Sequence, residues 1–131
     1  MPVAQERLTI ETKPREIKEI TREVAGWAAR QGIASGLLTI FIPHTSASLL
    51  IQENYSPAVR QDLAAFLGRL APEEPALYRH NDEGPDDMPA HLKSALTQVQ
   101  LKSRSAKARP GSAPDRGFSS SSIGPRRIAA I

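Results

Sequence analysis

Two short polar clusters interrupt otherwise apolar patterns. His44-Thr45-Ser46 follows the run Gly36-Leu37-Leu38-Thr39-Ile40-Phe41-Ile42. An imidazole at the end of an apolar strand is able to coordinate a metal or to move protons near neutral pH. Adjacent hydroxyls and backbone N–H groups can hold an anion. The same three residues also suit a turn whose side chains satisfy the backbone. The second cluster runs from His80 to Asp87 and contains one histidine, one amide and four acids. Such a donor set could hold a divalent cation, although acidic Gly-Pro loops also occur as solvated turns, and the ligand spacing of an EF-hand is absent.

His91 falls early in the next predicted helix, where it can face back toward this loop or serve in packing. No short-range ligand spacing relates His44, His80 and His91, so a three-histidine site is permitted but not required. Glu53-Asn54 either reaches a shared pocket or forms the entry turn of a helix. A P-loop, a GxGxxG turn and a nucleophile elbow are missing.

The elements that must position these groups read as follows. Gln5–Thr12 alternates polar and apolar residues, as a half-buried strand does. Ile17, Ile20, Val24, Trp27 and Ala28 step by three and four, which predicts a helix with Thr12 as cap, Pro14 in the first turn and Gly32 as its stop. Gly36–Ile42 is apolar on both faces and reads as a central strand. Ala47–Ile51 resumes as a strand, a candidate hairpin partner. Ser56 and Pro57 punctuate a second helix that places Val59, Leu63, Phe66, Leu67 and Leu70 on one face. A third, short helix covers Met88–Leu96 and is started by Asp87 or Met88, and Val99 and Leu101 begin a further strand. Strands and helices mixed without strict alternation indicate an α+β domain.

Length and composition narrow the chemistry. A chain of 131 residues suits one domain, and the absence of cysteine excludes disulfides, thiolate metal ligands and cysteine nucleophiles. No apolar run approaches the roughly 20 residues of a membrane span, and no signal-peptide pattern opens the chain, so a cytoplasmic location without a membrane partner is expected. The net charge of +3 is unevenly spread: residues 1–101 carry −3 and residues 102–131 carry +6. The basic pI therefore reflects the last 30 residues, which are rich in Ser, Pro and Gly and read as a disordered tail. Nucleic acid is not an expected partner, because the body shows no basic face.

The stretches Phe41-Ile42-Pro43-His44-Thr45-Ser46-Ala47-Ser48-Leu49, Gln52-Glu53-Asn54 and Val59-Arg60-Gln61-Asp62-Leu63 resemble the YjbQ-like proteins, also called secondary thiamine-phosphate synthases. The long motif Tyr78–Leu96 strengthens the resemblance, which covers residues 1–101. It implies an α+β fold with a mixed, mainly antiparallel sheet, a homotrimer, and a histidine-rich pocket close to the subunit interface. The implied activity joins hydroxymethylpyrimidine diphosphate to a thiazole phosphate, both small phosphorylated molecules. A non-catalytic module binding a metal or a phosphorylated ligand is the alternative. By position in the family motifs, His44, His80, Asp82 and Glu83 would be catalytic, and Thr45, Ser46 and Asn54 would bind substrate. His44, His80 and His91 would hold a divalent metal, Mg or Zn.

Beyond residue 101 the resemblance implies further strands, a Gly-Thr-Trp-Gln-Gly-like motif and a terminal Glu-His-Arg, none of which is present. Gly117-Phe118-Ser119-Ser120-Ser121-Ser122-Ile123-Gly124 can nevertheless be encoded so that a shifted frame reads Leu-Leu-Leu-Phe-Glu-His-Arg. The same offset permits Gly-Thr and Gln-Gly upstream, although Asp115 forbids the Trp between them. The expectation is a frameshift near Leu101–Lys102, with the family's last strands missing, residues 102–131 out of frame and little catalytic activity in this form.

Overall fold

The computed structural model describes residues 2–53, 56–106 and 126–130. The order is β1 (Lys18–Glu19), α1 (Thr21–Arg30), β2 (Ser35–Phe41), β3 (Leu49–Glu53), α2 (Pro57–Leu70), a 3-10 turn (Pro75–Leu77), α3 (Asp87–Leu96), β4 (Gln100–Ala106) and β5 (Arg126–Ala130). This is an α+β fold. One antiparallel sheet has the order β1-β5-β3, and a second pairs β2 with β4 from Ser35↔Ala106 to Phe41↔Gln100.

Helix α2 starts where its punctuation predicts. Ser56 is extended, its Oγ accepts the Ala58 N–H at 3.2 Å, and Pro57 occupies the first helical position, where its missing N–H costs nothing. Helix α1 starts later than predicted. The chain turns at Pro14-Arg15, with Arg15 at φ 65°, and Glu16 closes that turn through both its side chain and its N–H. A left-handed residue there cannot continue a right-handed helix, so helical geometry begins only at Thr21. Gly32, at φ 65°, ends the segment as expected.

Three strand assignments need correction. Gln5–Thr12 joins no described sheet: Ile10 packs against the core, but among the described residues no neighbour supplies a ladder. β2 is not central among the described residues, since β4 is its one partner, and Leu37 and Phe41 are 67% and 62% exposed. β3 pairs with β5 rather than forming a hairpin with β2.

The compositional break after Leu101 does not end an element either. Lys102–Ala106 pair with Thr39–Ser35, because the backbone groups of β2 find their partners there, and Arg126–Ala130 form β5. Both stretches depart from the expected disordered tail, while residues 107–125 lie outside the described ones.

The core unites α1 with both sheets. Ile20, Val24, Leu38, Leu49 and Leu101 form one buried cluster, against which Ile10, Trp27, Ile40 and Ile42 pack. Among the described residues no helix is long and apolar enough to cross a membrane.

Candidate metal centre

The loop before α3 and the first turns of that helix bring four donors together. Asp87 opens the helix and His91 follows it by four residues, so both lie on one face. Tyr78 and Asn81 pin the preceding loop: Tyr78 Oη donates to the Pro72 carbonyl at 2.8 Å, and Asn81 Nδ2 donates to the Tyr78 carbonyl at 2.6 Å. Gly84, at φ 112°, turns the chain back toward the helix in a conformation that side-chain-bearing residues rarely adopt.

One carboxylate oxygen is shared by the two imidazoles. Asp87 Oδ2 lies 2.8 Å from His80 Nε2 and 3.2 Å from His91 Nε2, and Glu83 Oε2 lies 3.7 Å from His80 Nε2. The rings of His80 and His91 meet edge to face with centroids 5.8 Å apart. The donor atoms of His80, Glu83, Asp87 and His91 all fall within 4.8 Å of one another. Donors around a tetrahedral zinc stand roughly 3.4 Å apart, given metal–ligand bonds of about 2.1 Å. The observed contacts straddle that value, so the residues fit such an ion with small side-chain adjustments.

Partial burial is the largest single influence on the Asp87 carboxyl and acts to raise its pKa. The His80 hydrogen bond, the attraction of His91, a hydrogen bond with Glu83 and the charge of His80 together outweigh it. The net result lies below the ordinary carboxylate value of 3.8. A carboxylate held in its charged form beside two imidazoles is ready to bind a cation.

His44 stands apart from this cluster. With Thr45 it lines a shallow groove of about 350 Å³ alongside Phe41, Ile42, Pro43 and Val99. His44 Nδ1 accepts the Ser46 N–H at 3.0 Å and lies 3.2 Å from Ser46 Oγ. The neutral ring therefore carries its proton on Nε2.

The structure thus gathers His80, Glu83 and His91 from the predicted site residues and adds Asp87. It leaves His44 and Asp82 outside the four-donor group, and Asn54 lies outside the described residues. Asp87 was readable as a member of the acidic loop. Its i,i+4 spacing to His91 on a predicted helix was the signal that could have singled it out.

Comparisons with known proteins agree with this architecture. The sequence profile described as UPF0047 protein YjbQ-like matches residues 6–104. A UPF0047 protein of Synechocystis is 47% identical over 95 residues, covering 72% of this chain and 65% of that one. UPF0047 protein YjbQ of Salmonella typhimurium is 39% identical over 98 residues, covering 74% of this chain and 70% of that one. The matched part thus spans just under two thirds of the Synechocystis protein.

A crystal structure of a conserved hypothetical protein from Thermus thermophilus superposes with a TM-score of 0.62 at 32% identity, covering 87% of this chain and 78% of that one. A YjbQ/UPF0047 family protein from Clostridium acetobutylicum gives 0.71 at 20% identity over 92% and 84% of the two chains, which shows the shared fold. The names of these relatives state no activity.

Proposed function

Since the chain belongs to the YjbQ-like UPF0047 family, we propose that it is a cytoplasmic secondary thiamine-phosphate synthase-like protein whose His80-Glu83-Asp87-His91 cluster holds a divalent cation. The observation that carries this reading is the convergence of two imidazoles on one carboxylate oxygen, with a second carboxylate beside them.

In the proposed reaction the C–O bond between the pyrimidine methylene and the diphosphate breaks, and its electron pair leaves on the diphosphate. The thiazole nitrogen lone pair then forms the new C–N bond. A bound cation supplies neutralisation of the departing anion. The chain's own groups supply placement. The apolar walls Phe41, Ile42 and Val99 suit a flat heteroaromatic ring, and His44 Nε2–H offers that ring one donor. Thr45 lines the same groove, and the Ser46 hydroxyl stands beside His44 Nδ1.

Two imidazoles in the donor set favour zinc-class ions over magnesium, which prefers an all-oxygen shell with several waters. Turnover of the two precursors, assayed with and without divalent metal, tests the reading. Metal-dependent product supports it, and no product at any metal concentration, from this chain and from one with the shifted frame restored, overturns it. Four protein donors, rather than three and an open position, also suit a closed structural site. That feature favours the second reading, a module that binds a metal or a phosphorylated ligand without turnover.

The homotrimer belongs to the same proposal. Leu37, Phe41, Phe66, Leu70 and Leu96 are exposed apolar side chains of the kind that association of copies would cover. The frameshift near Leu101–Lys102 is likewise our reading, supported by the codon arithmetic and by a family match that ends at residue 104.

A further inference from the structure

The loop that carries His44 has both feet on the segment that follows α3. Ile42 N–H donates to the Val99 carbonyl at 2.8 Å, and Leu49 exchanges two backbone bonds with Gln98, at 2.6 and 3.2 Å. Three hydroxyls reinforce this junction. Ser94 Oγ donates to the Ala47 carbonyl at 3.3 Å, and Thr97 Oγ1 lies 2.5 Å from Ser48 Oγ and 2.8 Å from the Lys93 carbonyl. With one proton per hydroxyl, the arrangement is satisfied when Thr97 donates to Lys93 and Ser48 donates to Thr97. Ser48 and Ser94 are buried, and Thr97 is half-buried.

Asp87, His91 and Ser94 step by four and three along α3 and so share one stripe of that helix. On this stripe Ser94 lies about 10 Å along the helix axis from Asp87 and about 4.5 Å beyond His91. We propose that Ser48, Ser94 and Thr97 are positioning residues: they seat the His44 loop on α3 in one register, so that His44 presents Nε2–H in a single tautomer at a fixed offset from the cluster. This rests on the reading that His44 and the cluster serve one site.

Directional hydroxyls do what alanine or valine could not. An apolar junction tolerates sliding, whereas a slipped register here leaves buried hydroxyls without partners.

The test is imidazole nitrogen NMR on the full chain at about pH 8, above the range in which histidines ordinarily titrate. In the wild type His44 should show one tautomer with the proton on Nε2. An average of both tautomers in the wild type would overturn the proposal without any variant. Thr97→Val should move the His44 signals toward that average, and Thr97→Ser, which keeps the hydroxyl, should restore them, with the His80 and His91 signals as internal reference. Ser94→Ala, which removes a longer bond, should shift His44 the same way and covers the case in which Thr97→Val does not fold. Variants that melt earlier with unchanged His44 signals would show a merely structural role and overturn the proposal. None of these signals depends on turnover, so a chain inactive on both precursors still passes or fails here.

Discussion

Asp87 Oδ2 is the common contact of two histidines, 2.8 Å from His80 Nε2 and 3.2 Å from His91 Nε2. One of these histidines comes from the loop and the other from the helix that Asp87 itself begins. The carboxylate therefore ties loop to helix and sets the spacing of the donors.

Folding lowers the proton affinity of the Asp87 carboxyl. At acid pH the unfolded chain then binds the proton more readily than the folded one. The stabilisation is complete above the ordinary carboxylate value of 3.8 and is lost as pH falls through the lower folded value. Carboxyl-carbon NMR of the metal-free protein should place the Asp87 midpoint below 3.8. Removing the hydrogen bond in His80→Ala should raise it, and a midpoint unchanged by that substitution would break the stated cause.

Cation binding must displace protons from the imidazole nitrogens that now face Asp87. Zinc affinity should therefore weaken as pH falls, and binding should release protons into solution. Calorimetry in buffers of different ionisation enthalpy measures that release directly.

The metal donors are separable from His44. His91→Ala should weaken zinc binding by at least the roughly 10–100-fold that loss of an outer-shell partner costs at metal sites. His44→Ala should leave zinc affinity as it was and impair only what binds in the Phe41–Thr45 groove. Competition with a chromogenic chelator distinguishes the two outcomes.

Two scaffold substitutions calibrate the fold. Leu49 is almost fully buried in the core, and Leu49→Ala should cost about 2–5 kcal/mol in denaturant unfolding. Ser56→Ala removes the hydroxyl that caps α2 and should cost about 1 kcal/mol.

Local signals in the sequence were the readable ones. Ser56-Pro57 fixed the start of α2 because a cap and a proline act within one turn, and Gly32 marked the end of α1 for the same reason. The acidic loop and His91 were visible as candidate donors, since their chemistry is written in residue type. Pairing of strands was not readable: which strand lies beside β3 depends on contacts between Leu49–Glu53 and Arg126–Ala130, far apart in the chain. The positive φ of Arg15 carries no signature either, because any residue type there reads as helix-compatible beside Ile17 and Ile20. Asp87 was legible as a helix opener, but its role as the bridge between His80 and His91 depends on how the Gly84 turn folds the loop back.

The most direct test of the account is zinc titration of the intact chain and of Asp87→Asn by calorimetry. The account predicts one zinc per chain in the wild type and binding weakened by at least about tenfold in the variant. No saturable binding in a folded wild type, or equal affinity in Asp87→Asn, would contradict it.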